Sequence, residues 1–141
     1  YGAKLLINAD PALLTACDAD GVQLSARRLA SLAARPIDAN LLLGASCHNR
    51  AELAQAQAIE VDFALLSPVK PTPSHPDAIP LGWDAFQQLG ATTHLPVYAL
   101  GGLATDDIGR ARQAGAIGVA AIRGVWEADD IAAAIKATLA D

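Results

Sequence analysis

A proline-dense segment carries side chains that could contact an anion. Residues 68–80 contain five prolines, and four of the side chains between them suit anionic oxygens: Lys70, Thr72, Ser74 and His75. Proline fixes φ and has no backbone donor, so this segment can be neither a helix nor a central strand. Because it directly follows the apolar run 61–66, we predict a stiff loop at the end of a buried strand. Functional side chains concentrate on such loops, which favours anion binding over the alternative of a rigid connector.

Two glycine-bearing corners follow later apolar runs. Gly101 and Gly102 end one run, and Gly124 follows Ile122 and Arg123 at the end of the next. Glycine lets the backbone approach an anion closely, and free amides at the start of a helix can bind it. The two corners together predict a phosphate site, with Arg123 as a candidate partner for the phosphate. A tight turn that needs glycine is the alternative for each corner alone.

The tripeptide Ser46-Cys47-His48 contains a nucleophile next to an imidazole. Side chains alternate across a strand, so Ser46 and His48 point one way and Cys47 points the other. This argues against a Cys47–His48 couple and predicts that Cys47 is a small buried residue. His48 lies near the carboxyl end of its strand, where it is a candidate acid/base or substrate contact; a structural role is the alternative.

Bulk composition excludes several classes of function. The net charge is −5 and no basic run occurs, which argues against nucleic acid and anionic membranes as partners. No apolar stretch approaches the roughly 20 residues of a transmembrane helix. Two cysteines without a CxxC pattern, Cys17 and Cys47, suit a reducing compartment and predict a cytoplasmic protein. No pair of carboxylates converges at predicted strand ends, so the residues by themselves predict no metal site.

Six apolar runs alternate with helical patterns along the chain, at residues 4–8, 20–25, 41–46, 61–66, 96–102 and 118–123. Continuous apolar runs indicate parallel strands that helices cover, with both sheet faces buried. With 141 residues and no internal linker, residues 1–141 form one domain. Two α/β folds fit: a complete doubly wound sheet, or a (β/α)8 TIM barrel with about six βα units present. The barrel would need two more units, upstream of Tyr1.

Helix signals add detail to this pattern. Asp10 before Pro11 predicts a capped helix start, with Leu13, Leu14 and Cys17 on its buried side. Asn49 and Glu52 form a capping-box-like pair at a later start. The last helix carries one apolar stripe made of Ile131, Ile135 and Leu139. The absence of Met and the start at Tyr1 predict that this chain is a piece of a longer product.

Several stretches occur together in an order that belongs to one known superfamily. They are Leu6-Ile7-Asn8, Ala19-Asp20-Gly21-Val22-Gln23-Leu24, Gly44-Ala45-Ser46-Cys47-His48, Leu66-Ser67-Pro68-Val69-Lys70-Pro71-Thr72, Leu81-Gly82, Ala99-Leu100-Gly101-Gly102-Leu103 and Ala114-Gly115-Ala116-Ile117-Gly118-Val119. This set resembles the thiamine phosphate synthase and thiazole tautomerase superfamily, whose fold is a (β/α)8 barrel. The Ser-Cys-His and Ser-His-Pro-Asp variants resemble a subgroup fused behind a mutator-type Nudix hydrolase domain, which implies such a domain as a partner in cis.

The resemblance implies an activity and a set of site residues. The family's synthases join a hydroxymethylpyrimidine diphosphate to a thiazole phosphate, with Mg²⁺ and loss of pyrophosphate. Position by position, it implies substrate contacts at Asn8, Ser46, Thr72, Ser74 and His75, where His75 replaces a lysine of the synthases. It implies a phosphate site at Gly102, Ile122 and Arg123, beside Gly101. His48 falls on the acid/base histidine of the tautomerase branch.

The resemblance also shows where this chain departs from the family. The two Asp positions that hold Mg²⁺ in the family are Ala9 and Arg28 here. Loss of both carboxylates removes the metal that would neutralise a leaving diphosphate. Three functions therefore stay open. The first is a synthase-like transferase domain that binds a small phosphorylated thiazole or thiamine-type ligand and couples hydroxymethylpyrimidine diphosphate to thiazole phosphate; the others are a metal-free tautomerase using His48 and a non-catalytic sensor attached to the Nudix domain. A homo-oligomer is a further expectation.

Overall fold

The computed structural model describes residues 2–139, and the side chains of residues 2–137. The strands are β1 Leu6–Ile7, β2 Gly21–Leu24, β3 Leu42–Cys47, β4 Phe63–Leu66, β5 Val97–Leu100 and β6 Gly118–Ala120. The helices are α1 Leu14–Cys17, preceded by a 3₁₀ turn at Pro11–Leu13, α2 Ala26–Ala30, α3 Arg50–Ala58, α4 Gly82–Gly90, α5 Ile108–Gln113, preceded by a 3₁₀ turn at Thr105–Asp107, α6 Arg123–Trp126 and α7 Ile131–Leu139.

The strands form one parallel sheet in which each strand pairs with the next along the chain, in the order β1 to β6. A doubly wound sheet reverses its strand order at a switch point, and this sheet has no reversal. The sequential order is that of a barrel wall, and the six strands form a curled, TIM-barrel-like half-barrel. The predicted count of eight βα units concerns a segment upstream of Tyr1, which lies outside the described residues.

The two faces of the sheet are buried to different extents. Val22, Leu43 and Leu66 point toward the helices and are fully buried with Leu29, Leu53 and Phe86. Gln23, Ser46 and Tyr98, on the opposite face, are only half-buried. The prediction that both faces are buried is therefore right for the helix-covered face alone. The half-buried face is the inner side of the curled sheet.

The inner face is packed by placing aromatic rings over glycines. A Cβ on Gly44 would lie 2.8 Å from Cε2 of Phe63, and one on Gly118 would lie 3.2 Å from the ring of Tyr98. The two rings meet edge to face, with centroids 5.8 Å apart. This geometry is a preferred one for aromatic pairs. Glycine at these two strand positions therefore makes room for the rings that fill the inner side.

Helix caps form where the sequence predicts them. Asp10 Oδ1 accepts from the Ala12 amide at 3.0 Å, and Asn49 Oδ1 accepts from the Glu52 amide at 3.0 Å. The Glu52 carboxylate reaches one residue beyond the expected capping box, because Oε2 accepts from the His48 amide at 2.6 Å. No helix among residues 2–139 has the length and apolar character that a membrane span requires.

Two predicted apolar faces are wrong in detail. In the first helix only Leu14 is buried, while Leu13 and Cys17 are exposed, because α1 has a single turn that can present one residue to the core. Among residues 131–137 of α7 the buried residue is Ala134, and the predicted stripe is partly in solvent, with Ile131 39% and Ile135 43% exposed. The side chain of the third stripe residue, Leu139, lies outside the described residues.

Candidate functional site

The proline loop, defined here as residues 71–80, is anchored to the carboxyl end of β5. The Val69 amide donates to Leu100 O at 2.9 Å, and the Lys70 amide donates to Gly101 O at 3.0 Å. The returning chain is held as well, because the Leu81 amide donates to Pro68 O at 2.8 Å. Both ends of the loop are therefore fixed by backbone hydrogen bonds, which the proline content alone did not predict.

The glycine corner after β5 packs directly against the start of this loop. Gly101 and Gly102 have φ values of +99° and +66°, in the region that favours glycine. A Cβ on Gly101 would lie 2.7 Å from Pro68 Cα, and one on Gly102 would lie 2.9 Å from Lys70 Cβ. Both the backbone conformation and the close approach therefore require glycine here.

The second glycine corner, at Gly124, packs against the residues that directly follow the first corner, at Gly101 and Gly102. A Cβ on Gly124 would lie 2.8 Å from Leu103 O and 2.9 Å from Ala104 Cα. The sixth strand was predicted to run to Arg123, but β6 ends at Ala120 and Arg123 begins α6. The strand is shorter than predicted because the chain turns after β6 to bring Gly124 against Leu103 and Ala104.

Arg123 joins the two corners to the proline loop. Its Nη2 donates to Oγ1 of Thr72 at 3.2 Å, and Thr72 is buried. Ile122, next to it, is 62% exposed, so its side chain takes little part in the core. The structure therefore brings together Gly101, Gly102, Gly124, Arg123 and Thr72, which the sequence places on three separate loops.

A cleft of about 550 Å³ lies on another side of the proline loop. It is lined by polar residues, His48, Ser67, Ser74, His75 and Asp77, and by apolar residues that include Pro68, Pro76, Ile79 and Leu81. The Ser74 amide donates to Thr72 Oγ1 at 3.4 Å, and the His75 amide donates to Thr72 O at 3.1 Å. Thr72 thus makes hydrogen bonds within the loop and also contacts Arg123. Ser74 and His75 line the cleft.

The ring of His48 is oriented by the end of the neighbouring strand. Nδ1 lies 2.8 Å from the carbonyl oxygen of Ser67 and 3.3 Å from its Oγ. A carbonyl oxygen can only accept, so Nδ1 carries the proton and donates, and the neutral ring keeps its lone pair on Nε2. His48 can therefore act as a proton acceptor through Nε2.

The remaining predicted contacts lie elsewhere on the sheet. Ser46, on the inner face, accepts from Gln23 Nε2 at 3.0 Å, so part of its hydrogen-bonding capacity is already used. Asn8 is exposed just after β1, at the opposite edge of the sheet from β6. The described contacts do not join Asn8 to the glycine corners.

The positions implied for Mg²⁺ do not suit that ion. Ala9 has no ligand atom, and Arg28 brings a positive charge to a cavity of about 430 Å³ that Asp10 also lines. Asp10 Oδ1 is used as a helix cap. Within residues 2–139 no group of three His, Cys, Asp or Glu side chains could hold a metal ion. Because Mg²⁺ prefers carboxylate oxygens and water, the residues present do not fit it.

Cys47 behaves as the strand alternation predicts. It is fully buried, and burial raises the pKa of its thiol to about 12. The thiol is therefore protonated at neutral pH, and a protonated buried thiol is a poor nucleophile. The structure gives no support to a Cys47–His48 couple, as expected.

The charged pair of Lys70 and Asp107, beside the glycine corner, was missed by sequence reasoning. Lys70 was a candidate for contact with an anion, but its ammonium lies 2.6 Å from Oδ1 of Asp107. Asp107 Oδ2 also accepts from the Ala104 amide at 3.0 Å. An acidic residue three positions after a helix start is the local signal that could have pointed to the second bond. No sequence pattern near Asp107 indicates its pairing with Lys70, which lies 37 positions away.

The fold and the position of these loops define the class of protein: a TIM-barrel-like α/β domain with its candidate site at the carboxyl ends of β3 to β6. Residues 1–125 match the family model described as thiamine monophosphate synthase. The chain therefore belongs to the thiamine monophosphate synthase family, which confirms the family resemblance drawn from the motifs. The resemblance to a Nudix fusion stays a prediction.

Relatives and a solved structure agree with this assignment. A thiamine-phosphate synthase of Chromobacterium violaceum is 40% identical over 97% of this chain and 67% of the relative. One of Limosilactobacillus fermentum is 34% identical over 99% of this chain and 66% of the relative. The structure of a thiamine phosphate pyrophosphorylase from Pyrococcus furiosus has 26% identity and a TM-score of 0.77, over 97% of this chain and 66% of that one. This chain thus spans about two thirds of the length of these proteins.

Proposed function

We propose that this thiamine phosphate synthase-like domain binds a phosphorylated thiazole or thiamine-type ligand at the carboxyl end of the sheet. The observation that carries the proposal is the meeting of three loops, with Arg123 Nη2 3.2 Å from Thr72 Oγ1 beside the Gly101–Gly102 corner. A guanidinium next to backbone amides that no side chain shields suits a phosphate group.

The residues where the three loops meet have different roles in the proposed phosphate site. Gly101 and Gly102 present backbone amides without a Cβ, and the backbone at Ile122 lies at the start of α6. Arg123 supplies a fixed positive charge with several donors in one plane. The Thr72 hydroxyl accepts from that guanidinium and thereby orients it in the absence of an anion.

The cleft lined by His48 and His75 is the proposed position of the heterocyclic ring. Ser74 lines this cleft and is two residues from Thr72. Two residues span at most about 7 Å of extended chain, which is short enough for one ligand to reach both sites. Pro68, Pro76 and Leu81 offer the apolar surface that a flat ring requires.

The relatives are named as synthases, which implies a transferase. This chain differs from the family pattern at the two positions that the resemblance assigns to Mg²⁺ ligands. Ala9 and Arg28 cannot coordinate Mg²⁺, and a diphosphate leaving group would meet no metal held by them. We therefore expect ligand binding that is independent of Mg²⁺, and no Mg²⁺-dependent release of pyrophosphate. The phosphate end of the family site is the part that this chain keeps.

A metal-free thiazole tautomerase is the second candidate. It is favoured by the hydrogen bond from His48 Nδ1 to Ser67 O, which leaves Nε2 available to take a proton in the cleft. The third function, a non-catalytic sensor for an attached Nudix domain, requires the same ligand binding without turnover. It remains a prediction from the resemblance.

Isothermal titration tests the proposal. We expect thiazole phosphate and thiamine phosphate to bind, with the same Kd in Mg²⁺ and in EDTA. Arg123→Gln removes a charged donor, and its Kd should rise by about tenfold to a hundredfold, since a hydrogen bond to a charged group contributes about 1.5–3 kcal/mol. The matched control is Arg110→Gln, which removes the same charge from an exposed position on α5.

Two outcomes would contradict the proposal. If neither phosphorylated compound binds, the meeting of the loops has a structural role only. If Arg123→Gln and Arg110→Gln bind alike, the phosphate lies elsewhere.

A further inference from the structure

An ion pair crosses the loop that follows β5. Lys70 Nζ lies 2.6 Å from Asp107 Oδ1; the Lys70 side chain is 44% exposed and that of Asp107 is 12% exposed. The proposed phosphate contacts use neither residue. A nearly buried carboxylate close to a site for a phosphate is unexpected, because like charges repel.

The carboxylate of Asp107 makes two bonds with different parts of the chain. Oδ1 accepts from Lys70, just before the proline loop, and Oδ2 accepts from the Ala104 amide, two residues after the glycine corner. The Asp107 side chain, in the 3₁₀ turn after β5, therefore connects Lys70 with the backbone at Ala104.

Lys70 is itself held against the glycine corner. Its amide donates to Gly101 O at 3.0 Å, and its Cβ lies where a side chain on Gly102 would have to be. The side chain thus runs from beside Gly102 to Asp107. Lys70 thus packs against Gly102, and its partner Asp107 accepts from the Ala104 amide.

We infer that Lys70 and Asp107 are positioning residues for the phosphate site. Together they hold residues 101–104 in the conformation that presents amides to an anion. Lys70 also neutralises the Asp107 carboxylate, which without its partner would oppose a phosphate dianion at the same corner. The inference rests on the proposed function, and it assigns to Lys70 and Asp107 the affinity of that site for phosphate.

The test compares thiazole phosphate with the same thiazole alcohol lacking phosphate, by titration of the whole chain. Lys70→Met keeps the apolar stem and leaves Asp107 without its partner. We expect its Kd for thiazole phosphate to rise about tenfold, and its Kd for the alcohol to stay within about twofold, because only the phosphate is repelled by the unpaired negative charge of Asp107. Lys70→Arg should restore binding of the phosphate.

Two further variants separate positioning from general stability. The double variant Lys70→Met with Asp107→Asn removes both charges, and it should recover part of the affinity that Lys70→Met loses. Lys4→Met is the control, since it breaks a 2.7 Å ion pair between Lys4, before β1, and Asp20, before β2, and should leave both Kd values unchanged.

The outcomes are distinct. If the unmodified chain binds neither phosphorylated probe nor inorganic phosphate, the proposed function fails and this inference fails with it. If the unmodified chain binds thiazole phosphate and Lys70→Met binds it equally well, only the inference is overturned. Equal weakening of the phosphate and the alcohol would also overturn it, because it would show a purely structural role for the pair.

Discussion

His48 is held by hydrogen bonds to its backbone and to its ring. Glu52 Oε2 accepts from its amide at 2.6 Å, and Ser67 O accepts from Nδ1 at 2.8 Å. The first bond belongs to the start of α3 and the second to the end of β4. The ring therefore presents one defined nitrogen, Nε2, to the cleft, and this is the single-residue feature on which a tautomerase depends.

His48→Ala tests that role. If the domain moves a proton on a thiazole phosphate, we expect the variant to lower the metal-free turnover by about a hundredfold or more, as general acid–base groups contribute about 10²–10⁴. Nuclear magnetic resonance of the two thiazole tautomers measures the turnover. His94→Ala is the control, because His94 precedes β5 at the other end of the strand. A variant as active as the unmodified chain would exclude His48 as the acid/base.

Among the connecting elements, the segment between α2 and β3 is fixed by Arg35. Its side chain is 14% exposed, and Nη2 donates to Leu41 O and to Asp62 Oδ2, both at 2.8 Å. Nη1 donates to Glu60 O, and Asp62 Oδ2 also accepts from the Leu43 amide at 2.7 Å. One guanidinium thus joins the starts of β3 and β4 at the amino end of the sheet, away from the candidate site.

Arg35→Met should therefore affect stability without affecting the ligand. It leaves Leu41 O, Glu60 O and Asp62 with fewer partners, and we expect the free energy of unfolding to fall by about 2 kcal/mol. Urea denaturation measures this loss, and Arg27→Met, at an exposed position on α2, should change it by less than about 0.5 kcal/mol. The Kd for thiazole phosphate should not change. An altered Kd would mean that the two ends of the strands are coupled.

For the molecule as a whole, the strand order decides which parts open first. β3 and β4 pair with a neighbour on each side, whereas β1 and β6 each have one neighbour among residues 2–139. β1 is also the shortest strand, with two residues. Amide protection follows the free energy of local opening, which is greatest for core strands.

Hydrogen exchange should reflect this order. We expect the amides of β3 and β4 to exchange slowest, and those of β1 and β6 faster by about a hundredfold or more. Mass spectrometry of peptides from each strand measures the rates, with the exposed proline loop as the fast reference. Equal protection of β1 and β3 would mean that another strand, from a second copy or from further chain, pairs with the open edge.

Several features that depend on neighbours in sequence were predicted correctly, although the apolar faces of the first helix and of α7 were not. The caps at Asp10 and Asn49, the loop after β4 and the burial of Cys47 each follow from local residue types or from strand alternation. The motifs also led to the family, because their order along the chain is itself sequence information. The choice between a barrel wall and a doubly wound sheet needed the pairing of distant strands.

The sequence by itself determined the alternation of strands and helices, the stiff proline loop and the residue types able to hold an anion, because backbone preferences and side-chain chemistry are local. Only the tertiary structure decided that β6 ends at Ala120, that Arg123 meets Thr72, and that the Lys70 ammonium is taken by Asp107. Those contacts join residues up to 51 positions apart. Which distant loops share one edge is set by strand order and register, and no local pattern contains that information.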